Sequence, residues 1–523
     1  MAAQDVSPRA PRWGGRGRVM HNAAASLAGN TWTAILGLLL VPVYVRYVGV
    51  EAYGLIGLFA VLQSVAALLD MGLSTTLSRE LARLSGLEGT GAQMRDLVRS
   101  LAVVYWGVGA LICLVTLGVA PLLAHHWVTS QHLGSGQVIR AFMLLGASFA
   151  LQWPQYLYMG GLEGLQRHVQ TNTVLAVVGT IRSVGALAVL AWVSPTLDAF
   201  LTWQIVTAAL QTLLLGALLR RALPPAPAGR FRAAELRRLA RFAAGVSALS
   251  LLSLGLTSAD KVVLSRILPL REFGYYSLAG AVTLALTRVT APLFSAFFPR
   301  FSELVAQMRD VELRRLYHRG CGLMALLVLP ASLVLVAFAP EVLRVWSGNP
   351  DIVREARLPV ALLAGGTALN ALMVMPYALQ VAHGWTRLLL VSNAVAVAVL
   401  VPLVTFTALR WGAPGAAAAW LILNAGYVVI QPPIIHRRLL KGELARWYLH
   451  DVAGPLAAAG AVALAARFLL PWGGARMAEA GLLAVTGCSM FAAAALTQEW
   501  ARETAGRVLA RAGLFAGAPG AVR

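Results

Sequence analysis

Long apolar segments recur along the whole sequence, each about as long as the ~20 residues that a helix needs to cross a membrane. The chain of 523 residues is 58% hydrophobic and 12% charged, whereas a soluble domain carries about 25% charged residues. Because backbone polar groups find no water in hydrocarbon, each segment must satisfy its own hydrogen bonds, which favours helices. The sequence therefore predicts an all-α polytopic membrane protein.

Fourteen segments are predicted to span the membrane. They fall near 22–45, 51–78, 98–124, 138–160, 169–192, 198–220, 242–267, 272–299, 316–339, 357–382, 388–409, 413–436, 450–470 and 478–500. These spans predict an N-terminal arm (1–21), a six-helix N-lobe (22–220), a basic linker (221–241), a six-helix C-lobe (242–437), an extra helix pair (438–500) and a tail (501–523).

The two predicted lobes share an internal repeat at an offset of 220 residues. Without a gap, Arg46 aligns with Arg266, and Gly54 with Gly274. A second pair of segments, 154–172 and 376–393, aligns at an offset of 222 and then 221 residues. Duplicated halves are common in membrane transporters, which bind their substrate between the repeats.

Lysine and arginine are distributed unevenly between the predicted loops. With the N-terminus in the cytoplasm, 30 of the 43 lie in predicted cytoplasmic segments and ten in segments on the opposite side. This bias predicts that both termini are cytoplasmic. The net charge of +21 is then explained by topology and by contact with anionic membrane lipids, so no nucleic-acid partner is needed.

Ionisable residues inside predicted spans are candidate site residues, because burying charge in a bilayer is costly. They are Asp70, Arg182, Asp260, Lys261 and Arg288. Alternatives without a transport role remain for some of them: Asp260 could pair with Arg288 as a structural bond, Lys261 could extend its stem to the interface, and Asp70 could lie at a solvated helix end.

Neutral amide side chains inside the predicted spans could bind hydroxyl groups of a ligand, but such residues more often join helices through hydrogen bonds. They are Asn30, Gln63, Gln152, Gln155, Asn172, Gln204, Gln211, Asn370, Gln380, Asn393 and Asn424. Prolines inside spans predict kinks. They are Pro42, Pro154, Pro292, Pro330, Pro376 and Pro402.

Other patterns argue against an enzyme, a metal or a cofactor. The three cysteines lie in apolar segments without metal-ligand spacing, and the histidines at 125, 126 and 132 have no supporting ligands nearby. The glycines of the GGLEG segment at 160–164 lack the strand that precedes a phosphate-binding loop. No predicted loop is long enough for a soluble catalytic domain of ~50 residues.

The segment 46–83 resembles the first helical hairpin of bacterial O-antigen and oligosaccharide flippases, within the multidrug/oligosaccharidyl-lipid/polysaccharide exporter superfamily. It reads R-Y-x-G-x-E-x-Y-G-L and then L-D-x-G-L-x-x-x-L-x-R-E. The residues that carry the resemblance are Arg46, Gly49, Tyr53, Gly54, Asp70, Gly72, Arg79 and Glu80. A weaker likeness extends over 22–438 as two six-helix lobes.

The resemblance implies a non-enzymatic transporter of the bacterial inner membrane that works by alternating access. Its expected substrate is an oligosaccharide linked to undecaprenyl pyrophosphate, for O-antigen or other surface polysaccharide. A pyrophosphate needs cationic partners on its path, so we expect Arg182, Lys261 and Arg288 to bind it. Asp70 and Asp260 are candidates for coupling to H⁺ or Na⁺.

Three alternatives remain open from the sequence. A flippase for lipid-linked peptidoglycan precursors of the same superfamily also has two spans beyond the basic twelve. A cation-coupled multidrug exporter of the same fold predicts a carboxylate-rich cavity that is poor in cations. A membrane glycosyltransferase or polymerase predicts a large outer loop or paired catalytic carboxylates, which the sequence lacks.

Overall fold

The computed structural model describes residues 32–33, 35–66, 70, 72–227, 229–232, 258–498 and 501–502, with the side chains of 60–66 excepted. The chain divides into two compact units, Met1–Leu254 and Gly255–Arg523. The predicted N-terminal arm, part of the predicted linker, nearly all of the tail and the beginnings of two predicted spans lie outside the described residues. The predicted domain boundaries therefore stay predictions.

Unit 1 consists of helices joined by turns and short loops in its described residues. Its helices are α1 (Ile35–Val48), α2 (Val50–Ala66), α3 (Leu73–Ser85), α4 (Gly91–His126), α5 (Ser135–Gln152), α6 (Gln155–Gly164), α7 (His168–Ala188) with a π-helical turn at Val189–Val193, and α8 (Leu197–Ala222). Aromatic side chains form part of its core: Trp153 stacks on Tyr105 and meets Phe149 edge-on, with ring centroids 5.9 and 5.8 Å apart.

Unit 2 is also helical in its described residues. Its helices are α9 (258–267), α10 (Leu270–Thr287), α11 (Thr290–Ala306), α12 (Asp310–Ala337), α13 (Ala339–Ser347), α14 (Pro350–Leu372), α15 (Val374–Ala382), α16 (Thr386–Leu439), α17 (Leu444–Arg446) with a π-helical turn at Trp447–Ala453, α18 (Gly454–Leu469) and α19 (Arg476–Thr497). The all-α prediction is confirmed for the described residues.

Nine helical segments in the described part of the chain are long and apolar enough to cross a membrane, and α1 and the first half of α2 are shorter apolar helices. The multi-pass architecture is therefore confirmed. The number fourteen stays a prediction, because some spans lie partly outside the described residues and others are joined. Predicted spans 388–409 and 413–436, for example, both fall within α16.

A reversal of the chain at Gly412 separates these two spans. Gly412 has φ +61° and ψ −142°, which is not helical. Tyr427 donates a hydrogen bond of 3.3 Å to the Asn393 side chain, although a straight helix would place residues 34 positions apart about 51 Å from each other. The two halves of α16 therefore run antiparallel, in agreement with two spans predicted on either side of residue 412.

Four spans predicted as continuous are interrupted in the structure. The predicted 51–78 helix is interrupted at Gly72, which has a left-handed φ of +74° and precedes α3, and the 272–299 helix is interrupted at Arg288. Two further interruptions lie near prolines. One is at Trp153–Pro154, and the other is at Met373, three residues before Pro376. Proline has no backbone N–H and cannot donate the hydrogen bond of a helix. Prolines do not always break the helices, since Pro330 lies inside the continuous α12.

The backbone confirms the internal repeat at the turn where it was predicted. The α2 helix begins at Val50 and α10 begins at Leu270, 220 residues later. The Tyr53 amide donates to the Gly49 carbonyl at 3.2 Å, and the equivalent Phe273 amide donates to Pro269 at 3.0 Å. Gly49 has a left-handed φ of +86°, while Pro269 makes the same turn with a negative φ.

The C-terminal helices α18 and α19 pack on α12 and have no counterpart among the described helices of unit 1. Their shared core contains Phe338, Ala459 and Met490. Two ion pairs attach them to α13: Arg467 binds Glu341 at 2.6 Å, and Arg344 binds the fully buried Glu479. The extra helix pair predicted from the sequence is therefore an integral part of unit 2.

The GGLEG segment brings α6 into close contact with α3. An added Cβ on Gly160 would lie 2.5 Å from the Ser74 carbonyl oxygen, and one on Gly164 would lie 2.3 Å from that of Ser78. Glycines spaced four residues apart allow this approach of two helix backbones, as in membrane helix pairs generally. These glycines therefore serve helix packing.

We expect Gly160→Ala to destabilise the protein by about 1–3 kcal/mol, the usual cost of overpacking, because the new methyl group would collide with the α3 backbone. Thermal unfolding of the purified protein in detergent measures this effect. Gly118→Ala is the matched control, since nothing lies within 4 Å of its added Cβ and alanine favours a helix. Equal melting temperatures for the two variants would contradict the packing role.

Candidate functional site

The Arg182 side chain lies about midway along the membrane-spanning segment formed by α7 and its π-helical turn. Its Nη2 atom donates a hydrogen bond of 2.9 Å to the Gln211 Oε1 atom. The Gln211 Nε2 atom in turn donates to the Gln155 Oε1 atom at 2.6 Å. A chain of three polar side chains therefore joins α7, α8 and α6 inside unit 1.

The Arg182 guanidinium has no carboxylate partner among the described residues. Its Nε atom is buried, and no described acceptor bonds to it. The Trp203 indole fixes the adjacent backbone by donating to the Arg182 carbonyl at 3.1 Å. This indole packs where a Cβ on Gly185 would lie, 2.3 Å from the nearest ring atom. Among the described residues, the guanidinium is therefore bound by one neutral amide and by no anion.

Asp70 lies in the interruption between α2 and α3, and both of its carboxylate oxygens are hydrogen bonded. Oδ1 accepts from the Tyr105 hydroxyl, and Oδ2 accepts from the Ser74 hydroxyl at 2.8 Å. Tyr105 is almost fully buried. Asp70 is therefore a half-buried, internally bonded carboxylate, which differs from the solvated helix end that the sequence left open.

Asp260, near the start of the described part of α9, has one bonded and one unbonded oxygen. The buried Tyr276 hydroxyl of α10 donates to its Oδ2 atom at 2.6 Å. Its Oδ1 atom is buried, and no described donor bonds to it. The pairing with Arg288 that the sequence left open is not present among the described contacts, where Asp260 binds tyrosine instead.

Lys261 and Arg288 complete the candidate set in unit 2. Lys261 is half-buried on α9, and Arg288 is exposed at the end of α10, where its amide donates to the Ala285 carbonyl at 3.3 Å. No hydrogen bond or ion pair between described atoms joins any two of the five candidates. Asp70 and Arg182 lie in unit 1, and the other three lie in unit 2.

The motif residues mainly shape the backbone of the first hairpin. Gly49 and Gly72 have φ values of +86° and +74°, which residues with a side chain rarely adopt. Gly54 is buried and Tyr53 half-buried on α2, whereas Arg46 is exposed. On α3, Arg79 and Glu80 have partners, and Glu80 binds Arg83 at 2.9 Å.

A buried polar cluster around His318 on α12 was not predicted from the sequence. The His318 Nδ1 atom lies 2.5 Å from the Asp451 carboxylate, and its Nε2 atom lies 3.2 Å from Glu443. His318 and Asp451 are 5% and 4% exposed. Both lie within the first few residues of predicted spans, so their position inside an apolar segment was a signal available from the sequence.

We expect Gln211→Leu to destabilise the protein by about 1–3 kcal/mol, because it leaves buried polar groups of Arg182 and Gln155 without a partner. Thermal unfolding in detergent measures the loss. Gln204→Leu on the same helix is the matched control, since the half-buried Gln204 side chain makes no hydrogen bond to a described residue. A Gln211 variant as stable as this control would show that the polar chain is dispensable.

Comparisons with known proteins identify a family and relatives of this chain. The family described as "Polysaccharide biosynthesis protein" matches residues 19–305. A protein of Shigella flexneri described as "Putative O-antigen transporter" is 22% identical over 406 residues, covering 77% of this chain and 94% of that relative. The resemblance predicted from the sequence is thus confirmed.

Solved structures share the fold at low identity. A lipid II flippase, MurJ in an inward closed conformation, aligns with a TM-score of 0.69 and 11% identity, covering 94% of this chain and all of that one. An inward-facing multidrug resistance MATE family transporter of the MOP superfamily aligns with a TM-score of 0.63 and 14% identity, covering 82% and 98% of the two chains.

These relatives are described as transporters and flippases, in agreement with the prediction of a membrane transporter that is not an enzyme. The family match covers more than half of the chain. It also spans the first hairpin, the Arg182 chain and the turn where the repeat begins again. The chain belongs to the polysaccharide biosynthesis protein family.

Proposed function

We propose that this protein moves a lipid-linked oligosaccharide, carried on undecaprenyl pyrophosphate, from the inner to the outer leaflet of the bacterial inner membrane. Family membership and the relative described as an O-antigen transporter support a polysaccharide substrate. The lysine and arginine bias supports cytoplasmic termini. The substrate would serve the synthesis of O-antigen or another surface polysaccharide.

The observation that carries the proposal is the half-buried guanidinium of Arg182, which has a buried Nε atom and no carboxylate partner among the described residues. A charge inside the membrane is costly unless a partner compensates it, yet only a neutral amide binds this guanidinium among the described side chains. An anionic substrate group passing through would supply the missing partner. Arginine binds phosphate oxygens through two parallel hydrogen bonds, which suits a pyrophosphate.

The shared helical plan of the two units supports transport by alternating access. Both units contain interrupted helices at equivalent places, at Trp153–Pro154 in unit 1 and at Met373 in unit 2. Such interruptions are sites where a helix can bend. In this scheme Lys261 and Arg288 of unit 2 supply further cationic partners for the pyrophosphate.

A second candidate is the flipping of a lipid-linked peptidoglycan precursor. It is favoured by the likeness to the MurJ fold over 94% of the chain, which includes most of the extra C-terminal helices. Both candidate substrates contain a pyrophosphate, so Arg182 suits either of them. A multidrug exporter is less well supported, because the unneutralised group found in unit 1 is a cation.

We expect Arg182→Gln to lower transport at least tenfold, because a hydrogen bond to a charged group contributes about 1.5–3 kcal/mol. The measurement is the rate at which lipid-linked oligosaccharide crosses the bilayer of proteoliposomes. Arg182→Lys keeps the charge but loses the bidentate geometry, so it should retain part of the rate.

Arg140→Gln is the matched control, since Arg140 is an exposed arginine of unit 1 with a surface ion pair to Asp198. It should transport at the wild-type rate. Full activity of Arg182→Gln would remove the main support for the proposal. Parallel assays with lipid-linked oligosaccharide and lipid-linked peptidoglycan precursor separate the two candidate functions, since only the true substrate should cross at an appreciable rate.

Asp260 is the better supported of the two candidates for ion coupling. Its Oδ1 atom is buried without a described donor, so it can accept a proton or bind Na⁺. Both oxygens of Asp70 already accept hydrogen bonds. Coupling through Asp260 therefore requires fewer existing bonds to be broken.

Replacing Asp260 by Asn should abolish the acceleration of transport by an H⁺ or Na⁺ gradient, because the amide is neutral and does not titrate. Transport in proteoliposomes with and without each gradient provides the measurement. Asp351→Asn, at an exposed ion pair of the same unit, should preserve gradient dependence. A gradient response that survives in Asp260→Asn would assign coupling to another residue.

A further inference from the structure

Unit 2 contains a second cationic site, which is distinct from the Arg182 chain of unit 1. A cavity of about 950 Å³ opens between the start of α12, the π-helical turn before α18 and the end of α19. Four arginines line it: Arg315, Arg319, Arg446 and Arg502. The positive-inside pattern predicts that this end of the helices faces the cytoplasm.

The described lining of the cavity has an excess of positive charge. Its one described carboxylate, Asp451, binds His318 at 2.5 Å. Glu443, which also contacts His318, lies 3.3 Å from Arg314. Arg315, Arg446 and Arg502 make no ion pair within 4 Å to a described residue. Three exposed guanidinium groups are therefore available to an anion.

The π-helical turn Trp447–Ala453 forms one wall of the cavity. Trp447 is fully buried in the core of unit 2, whereas Leu449, His450 and the 4% exposed Asp451 line the cavity. The side-chain amide of Gln498 donates to the His450 carbonyl at 3.2 Å and ties the turn to the end of α19. The His318–Asp451 contact ties the same turn to α12. Hydrogen bonds therefore hold the turn to both neighbouring helices of the cavity.

An apolar surface continues from the cavity along the same segment. Leu449 is 63% exposed at the rim, and Leu456 is 41% exposed seven residues further along. Leu464 and Phe468 extend this surface, being 65% and 81% exposed. A ligand that fits both features has an anionic head and an apolar tail.

We propose that this cavity binds the phosphate headgroup of an anionic phospholipid from the inner leaflet, with an acyl chain lying along the apolar face of α18. Basic pockets at the cytoplasmic ends of membrane helices bind anionic headgroups in this way. The volume is sufficient for a headgroup with its glycerol. This site would tie the C-terminal helix pair to the membrane surface, whichever substrate is transported.

The purified full-length protein tests the site through lipid binding in detergent. Native mass spectrometry is used to titrate cardiolipin, phosphatidylglycerol and, as a neutral comparison, phosphatidylethanolamine. A triple variant, Arg315→Gln, Arg446→Gln and Arg502→Gln, should bind the anionic lipids about a hundredfold more weakly, from about fivefold for each arginine near a phosphate surface. The single variant Arg446→Gln should show about a fivefold loss and serves if the triple variant fails to fold.

The matched control is Arg387→Gln, Arg437→Gln and Lys441→Gln, which removes three exposed charges that do not line the cavity. It should bind anionic lipid like the wild type. Equal losses in both triple variants would show a general surface-charge effect and overturn the site. Inorganic phosphate and pyrophosphate are added separately as competitors of the bound lipid. If either one displaces the lipid and binds as tightly as the lipid does, the assignment to a lipid is overturned.

Discussion

The structure depends on how a membrane protein compensates polar and charged groups that cannot reach water. Many charged groups in the described residues have a local partner: Asp70 binds two hydroxyl groups, Glu341 and Glu479 bind arginines, and His318 binds two carboxylates. An unpaired charge in hydrocarbon costs several kcal/mol by most measures. Arg182 differs from these groups, because only the neutral Gln211 amide binds its guanidinium among the described residues.

The two units share a repeated helical plan, which supports the proposed transport by alternating access. Each unit has its own core, and interrupted helices recur at matching positions in both units. Glycine at 160 and 164 permits backbone contact between α3 and α6, where dispersion forces replace the hydrophobic effect as the source of association. The C-terminal helices are joined to unit 2 through a shared apolar core and through two ion pairs whose carboxylates are buried.

Some of the candidate site could be predicted from the sequence, and some could not. Arg182 and Asp260 were predicted as site residues, because placing an ionisable side chain inside the membrane costs free energy whichever way the side chain points. Their hydrogen-bond partners could not be predicted, since Gln211 is 29 residues from Arg182, and Tyr276 lies on another helix from Asp260.

The His318 cluster joins residues 133 positions apart, and nothing in the spacing of α12 indicates a partner on the turn before α18. The glycine segment was excluded as a phosphate site, but its packing role depends on the neighbouring helix.

The sequence by itself determined the membrane class, the all-α fold, the internal repeat and the family resemblance. These follow from hydrophobic segment length, from the cost of unsatisfied backbone groups in hydrocarbon and from an ungapped motif. Only the tertiary structure decided where helices are interrupted, that α16 reverses at Gly412, and which polar groups meet across helices. The physical reason is that hydropathy measures each segment against the bilayer, whereas hydrogen bonds and close backbone contacts depend on the rotation and approach of two helices at once.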